Sequence, residues 1–299
     1  MNWDDIANAM FGGVPVYGQI LALVQNSVWA GAILGLVGGL IGVFVLQRDM
    51  AFAVHGISEL SFAGAAAALL IGADVVTGSI VGSMVAAALI GWLGSRARDR
   101  NSIIGVLMPF GLGLGILFLA LYNGRSANRF SLLTGQIVSV QSDQLTWLIA
   151  ISAVVLVALL LIWRPLRFDS LDPQSAAARG VPTGLISLAF MLLLGLAVAV
   201  AVHIIGALLV LALLVTPAAA AARIANGPVA VPLLAALFGV VSAVGGILLA
   251  VAGTLPVSPY ITTISFVIYL VCRMVGARRG RVQRTDASRR TQPVASVRA

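Results

Sequence analysis

Two titratable side chains stand four residues apart in AVHGISELSFAG, residues 53–64, a stretch that is otherwise apolar or small. Glu59 is the one glutamate of the chain and His55 is one of two histidines. On a helix such residues share a face, with Cβ atoms about 6 Å apart, so they can act on one ion or on each other. An imidazole nitrogen beside a carboxylate oxygen suits Zn²⁺, and carboxylate-rich mixtures suit Mn²⁺. The plainer alternative is a self-satisfied pair, imidazolium against carboxylate, or a neutral Glu59 bonded to a nearby Ser or Thr. His203 lies near an expected outer turn, where it is either a third ligand at an external mouth or a structural interface residue. Asp74 and Asp143, at other outer helix ends, read as caps or solvated ends before they read as cation attractors.

The elements that must position these groups follow from composition. The chain has 299 residues, 60% hydrophobic and only 9% charged, with a mean hydropathy of +1.07. A soluble domain of this size carries roughly a quarter charged residues. Apolar runs of the length a helix needs to cross a bilayer recur at about 21–46, 52–72, 75–94, 103–122, 144–163, 184–202, 204–222, 229–252 and 258–276. The expected fold is therefore all-α and polytopic, with nine transmembrane helices, or eight if one is re-entrant. The long run 184–222 is divided near His203 and Gly206 because about 39 residues is two crossings. Placing His55 and Glu59 in the second helix puts Glu59 near the bilayer midplane, where ionised groups are costly and usually face a pathway or the bundle interior.

All eighteen basic residues are arginine. Without lysine there is no Walker A phosphate loop, so that route to ATP hydrolysis is excluded from this chain. One cysteine, Cys272, excludes an internal disulfide and a cysteine-cluster metal site. The net charge of +8 does not indicate nucleic acid, because the arginines fall in short loops and the tail. With Arg48 cytoplasmic, alternation puts sixteen arginines inside and only Arg125 and Arg129 outside, a decisive bias under the positive-inside rule. The N-terminus is then expected outside and the C-terminus in the cytoplasm. MNWDD is acidic and carries no cleavage site, so no cleaved signal peptide is expected. Residues 1–20 read as an interfacial segment, 21–276 as the membrane domain, and 277–299 as a basic, disordered cytoplasmic tail resting on anionic lipid.

The longest cytoplasmic loop, about 164–183, holds a short helix with its own punctuation. Asp172 suits the N-cap, Pro173 the first turn, Gly180 the left-handed position after the end, and Pro182 stops continuation. The expected helix, Pro173–Arg179, is too short to be stable alone in water and must dock on something. It is either a connector on the membrane surface or a lever inserted into a soluble partner.

Four stretches in order carry a family resemblance. LDPQSAAARGVP resembles the Phe-Asp-Pro-Glu-x-Ala…Gly-Val-Pro pattern of permeases from the zinc/manganese/iron branch of ABC importers. LQRDMAFAVHGISELSFAG (46–64), SLLTGQIVSVQSDQL (131–145) and HIIGALLVLALLVTPAAAAARIA (203–225) are similar to further segments of that family. The resemblance spans roughly residues 20–275. It implies a homodimeric permease subunit of the bacterial cytoplasmic membrane that imports a divalent metal, zinc or manganese first and iron third. It further implies a separate cytoplasmic ATPase docking on Asp172, Pro173, Gln174, Ala178, Arg179 and Gly180, and a separate extracytoplasmic metal-binding protein. The metal is cargo, and no cofactor is expected. One departure stands out: the family carries Asp where this chain has His55 and His where it has Glu59. The competing readings are an ABC permease for a chelated or organic substrate, such as a siderophore, and an ion-coupled secondary transporter.

Overall fold

The computed structural model describes residues 24–93, 97–122, 140–252 and 257–290, with no side-chain description for 97–100, 208, 252 and 279–290. The described residues form ten helices: α1 (Gln25–Gln47), α2 (Ala51–Ile71), α3 (Val75–Leu93), α4 (Ala97–Leu121), α5 (Ser142–Leu171), α6 (Pro173–Ala178), α7 (Thr183–Ile205), α8 (Ala207–Ile224), α9 (Ala230–Ala252) and α10 (Val257–Arg290). Among the described residues, eight are long and apolar enough to cross a membrane, and α8 is a shorter apolar helix. The all-α, polytopic expectation is met. Arg96, Arg125, Arg129, residues 1–20 and the last residues of the tail lie outside the described residues.

Small residues decide how closely the helices approach, since lipid offers no hydrophobic drive between them. A Cβ on Gly35 of α1 would lie 2.5 Å from the Gly239 carbonyl carbon of α9. Gly39 meets the Ala235 backbone one turn further along, so α1 and α9 touch backbone to backbone. Gly42 is pressed against the Leu214 carbonyl of α8 in the same way. On α2, Gly64 faces Gly78 and Gly82 of α3, while Gly111 of α4 would place a Cβ 3.0 Å from the Leu60 nitrogen. Thus α1 is clasped by α8 and α9, and α2 by α3 and α4.

One boundary falls where the sequence expects it, and two differ in an instructive way. The α7–α8 division falls at Gly206, whose φ of +82° is one a residue with a Cβ rarely adopts. Helix α5 does not stop near residue 163. It continues through Arg164 and Pro165 to Leu171, because Leu166 and Asp169 in this extension are buried in the bundle. Helix α10 runs on to Arg290, although disorder was expected from residue 277. The added stretch is rich in arginine, a good helix former, and contains no proline. Pro217 is accommodated inside α8.

Candidate functional site

Helix α2 brings a polar face into the bundle. Ser58, Glu59 and Ser61 are all buried, Glu59 with only 4% of its surface exposed. The close approach of α4 helps to seal it: a Cβ at Gly111 would be 3.1 Å from the Glu59 carbonyl carbon. Gly56, one turn earlier, packs against Ile104 and Met108 of the same helix. The His55 side chain is 29% exposed, and its Nε2 lies 3.6 Å from Glu59 Oε1. That distance allows Coulomb attraction when the ring is protonated but exceeds a hydrogen bond. His55 Nδ1 is buried without a hydrogen-bond partner among the described residues. The pair is therefore juxtaposed without being locked: both groups keep lone-pair capacity that no described residue consumes.

Beneath this pair runs a hydrogen-bond chain that sequence reasoning did not anticipate. Ser61 Oγ donates to the Ser79 carbonyl at 3.0 Å and lies 2.7 Å from Ser79 Oγ. Ser79 Oγ in turn donates to the Ala199 carbonyl at 3.1 Å. Two hydroxyls thereby tie α2, α3 and α7 together just below Glu59 and fix the face that α2 presents.

The structure does not bring His203 into one set with His55 and Glu59. Among the described residues no group of three or more His, Cys, Asp or Glu side chains is placed to hold a metal. His203 sits in the last turn of α7, its Nε2 3.4 Å from Gln144 Nε2. Gln144 Oε1 accepts from the Gln141 amide in the capping box of α5, so the Gln144 NH₂ faces the ring and His203 Nε2 is the acceptor. Asp74 caps α3, its Oδ2 accepting from the Thr77 hydroxyl at 2.7 Å and the Thr77 amide at 2.8 Å. The Thr77 hydroxyl, then its amide, hold the Asp74 carboxyl below the usual carboxylate range. Asp143 lies in the first turn of α5.

The short helix forms with the caps the sequence predicts. Asp172 Oδ1 accepts from the Ser175 amide at 3.0 Å, Pro173 opens the helix, and Gly180 follows with φ +81°. Hydrogen bonds from the Ser175 hydroxyl and amide pull the Asp172 carboxyl below its ordinary range. The helix ends at Ala178, with Arg179 as C-cap. From Asp172 to Gly180 only Ala176 is buried. That methyl, and the Arg179 guanidinium 5.5 Å from the centre of the Phe168 ring, hold the helix to the end of α5. Pro173, Gln174 and Ala178 all face outward.

A second polar centre, also unforeseen, lies beside this helix. Arg48, at the corner between α1 and α2, pairs with Asp169 and donates to Ser170 Oγ at 2.9 Å and Ser187 Oγ at 3.1 Å. Its guanidinium also lies 5.6 Å from the centre of the Phe190 ring. The corner leading into α2, the end of α5 and the start of α7 are thereby bound at one point. The sequence offers no signal for it, because Asp169 falls in the expected loop 164–183. In the sequence Arg48 reads only as a marker of topology.

Comparison with known proteins agrees with this architecture. The manganese transport system membrane protein MntC of Halalkalibacterium halodurans is 29% identical over 275 residues, covering 92% of this chain and 94% of that protein. The manganese import system permease protein ScaB of Streptococcus parasanguinis is 28% identical over 262 residues, covering 87% and 93%. Among solved structures, PsaBC from Streptococcus pneumoniae in complex with Fab is similar with a TM-score of 0.75 and 27% identity, covering 83% of this chain and 90% of that one. The profile of the ABC 3 transport family matches residues 21–276, and this chain belongs to that family.

Proposed function

We propose that this chain is the permease subunit through which an ABC importer moves Mn²⁺ or Zn²⁺ inward across the bacterial cytoplasmic membrane. The observation that carries the reading is the His55–Glu59 pair: a nitrogen and a carboxylate on one face of a buried helix, 3.6 Å apart, with His55 Nδ1 unpartnered. Two such ligands bind a divalent ion transiently, and an incomplete ligand set suits an ion that must leave again. The names of the manganese permeases among the relatives support manganese as cargo, with zinc the chemical alternative. His203, at the end of α7, is the residue from which an outer ligand would act.

The remaining machinery lies in partner chains. A separate ATPase docks on the outward-facing side of α6, through Asp172, Pro173, Gln174, Ala178, Arg179 and Gly180. A second copy of the chain completes the pore, and an extracytoplasmic metal-binding protein delivers the ion. The exposure of every residue from Asp172 to Gly180 except Ala176 supports the docking role. The N-terminus then faces outside and the C-terminus the cytoplasm.

The test is uptake of radiolabelled Mn²⁺ and Zn²⁺ by cells lacking their own importers. The cells carry this chain with its ATPase and binding protein, either wild type or Glu59→Gln at matched expression. ATP-dependent uptake of one metal, lost in the variant, is expected. Full uptake by the variant would return His55 and Glu59 to a structural role. No metal uptake by an assembled wild-type complex would remove the metal-importer reading altogether.

A further inference from the structure

Two cavities on one side of the bundle form an amphipathic cleft. Helix α1 packs against α5 on one side and α9 on the other, leaving a channel between α5 and α9 with α1 as its floor. The first cavity, about 380 Å³, is walled by apolar side chains including Leu36, Leu40, Leu156, Leu160 and Leu233. The second, about 360 Å³, is lined in part by Gln47, Arg167 and Asn226. Trp163, Pro228 and Pro232 line both, so the two are continuous.

The cleft has the dimensions of one membrane leaflet. Eleven residues separate Leu36 from Gln47 on α1 and Leu156 from Arg167 on α5. At about 1.5 Å per residue each interval is about 16 Å, and half of a bilayer's hydrocarbon core is about 15 Å. The floor and the α5 wall thus run from an apolar midplane to a polar end at headgroup level. At that end Arg167 is half-buried and makes no hydrogen bond or ion pair among the described residues. Arg48, by contrast, has its carboxylate. A partly buried guanidinium lacking an anion, above an apolar slot one leaflet deep, is charge-complementary to a single class of molecule.

We propose that this cleft binds an anionic phospholipid of the cytoplasmic leaflet, its phosphate on Arg167, its acyl chain along α1 and α5 past Trp163. Gln47 and Asn226 supply polar contacts at the headgroup rim. Phe44, edge-on to Trp163 at 4.8 Å between ring centres, closes the floor where headgroup gives way to chain. The lipid fills a gap between α5, which leads into the short helix α6, and the α8–α9 turn.

The experiment uses the full chain in phosphatidylcholine–phosphatidylglycerol vesicles in which the acyl chains of one lipid or the other carry bromine, a short-range quencher of tryptophan. The Trp163 contribution is isolated by subtracting the fluorescence of Trp163→Phe. Brominated phosphatidylglycerol is expected to quench Trp163 several-fold more than brominated phosphatidylcholine at equal fraction. Arg167→Gln should abolish that preference and Arg167→Lys should largely keep it. Excess glycerophosphoglycerol, the headgroup without chains, should leave it unchanged. Equal quenching by the two lipids in the wild type would overturn the proposal, as would a preference that survives Arg167→Gln. Competition by the soluble headgroup would show a free-phosphate site instead. Absence of quenching by either lipid would show a cleft covered by protein, such as a second copy. Should Arg167→Gln misfold, the wild-type contrast and Arg167→Lys decide the matter.

Discussion

Arg48–Asp169 and His55–Glu59 are both pairs of ionisable side chains set in an apolar bundle, but the protein treats them in opposite ways. Arg48 is held by a carboxylate, two serine hydroxyls and an aromatic face, and its side chain is only 10% exposed. His55 and Glu59 stand 3.6 Å apart, with one ring nitrogen unpartnered among the described residues. Where surrounding donors and acceptors satisfy a buried charge, no valence remains for anything else, and the pair fastens helices. A loosely held pair can exchange partners with an arriving ion. Degree of satisfaction, more than burial or charge, is thus what would set a fastening pair apart from the transport pair proposed above.

The comparison breaks most visibly at Arg48. Arg48→Ala leaves Asp169 buried without its counter-charge, a change that typically costs about 3–5 kcal/mol. A large fall in the thermal unfolding midpoint of the detergent-solubilised protein is expected, along with loss of assembled complex. The double variant Arg48→Met with Asp169→Leu removes both charges and should recover most of that loss. If Arg48→Ala melts like wild type, the clasp is not a fastening. Ser61→Ala is the intermediate case. It deletes the contacts to Ser79 and should lower stability by about 1 kcal/mol in the same melt. Glu59→Gln should leave the midpoint where it is while stopping transport, and a melt as damaged as that of Arg48→Ala would erase the distinction between the two regions.

What could be read in the sequence was what is local. The Asp172–Pro173–Gly180 punctuation, the Gly206 division and the shared face of His55 and Glu59 depend on residues within a few positions of one another. The clasp joins Arg48 to a residue 121 positions away, and Gly35 meets Gly239 across a still longer interval. No periodicity records such meetings. The extension of α5 was missed for the same reason. Arg164 and Pro165 locally signal a stop, and only burial of Leu166 and Asp169 against helices far along the chain overrides it. The candidate ligands were visible because rarity marks them. The burial of Glu59 was not, because it depends on how closely Gly111 lets α4 approach that turn of α2.

The smallest effect sharpens the comparison at α6, where a carboxylate is fully solvated yet still structural. Hydrogen bonds from Ser175 place the Asp172 pKa below its unfolded value. A depressed carboxylate stabilises the folded form above the unfolded pKa and loses that contribution as pH falls through the folded one. The cap should therefore be intact from neutral pH down to the ordinary carboxylate range and open only below it. Protection of the Ser175 amide, read by hydrogen exchange and corrected for intrinsic rate, should stay constant over the upper window and fall in the acid one. Asp172→Asn, which caps without titrating, should flatten the acid fall while keeping the protection. Were the fall to persist in Asp172→Asn, the acid sensitivity would belong to another group.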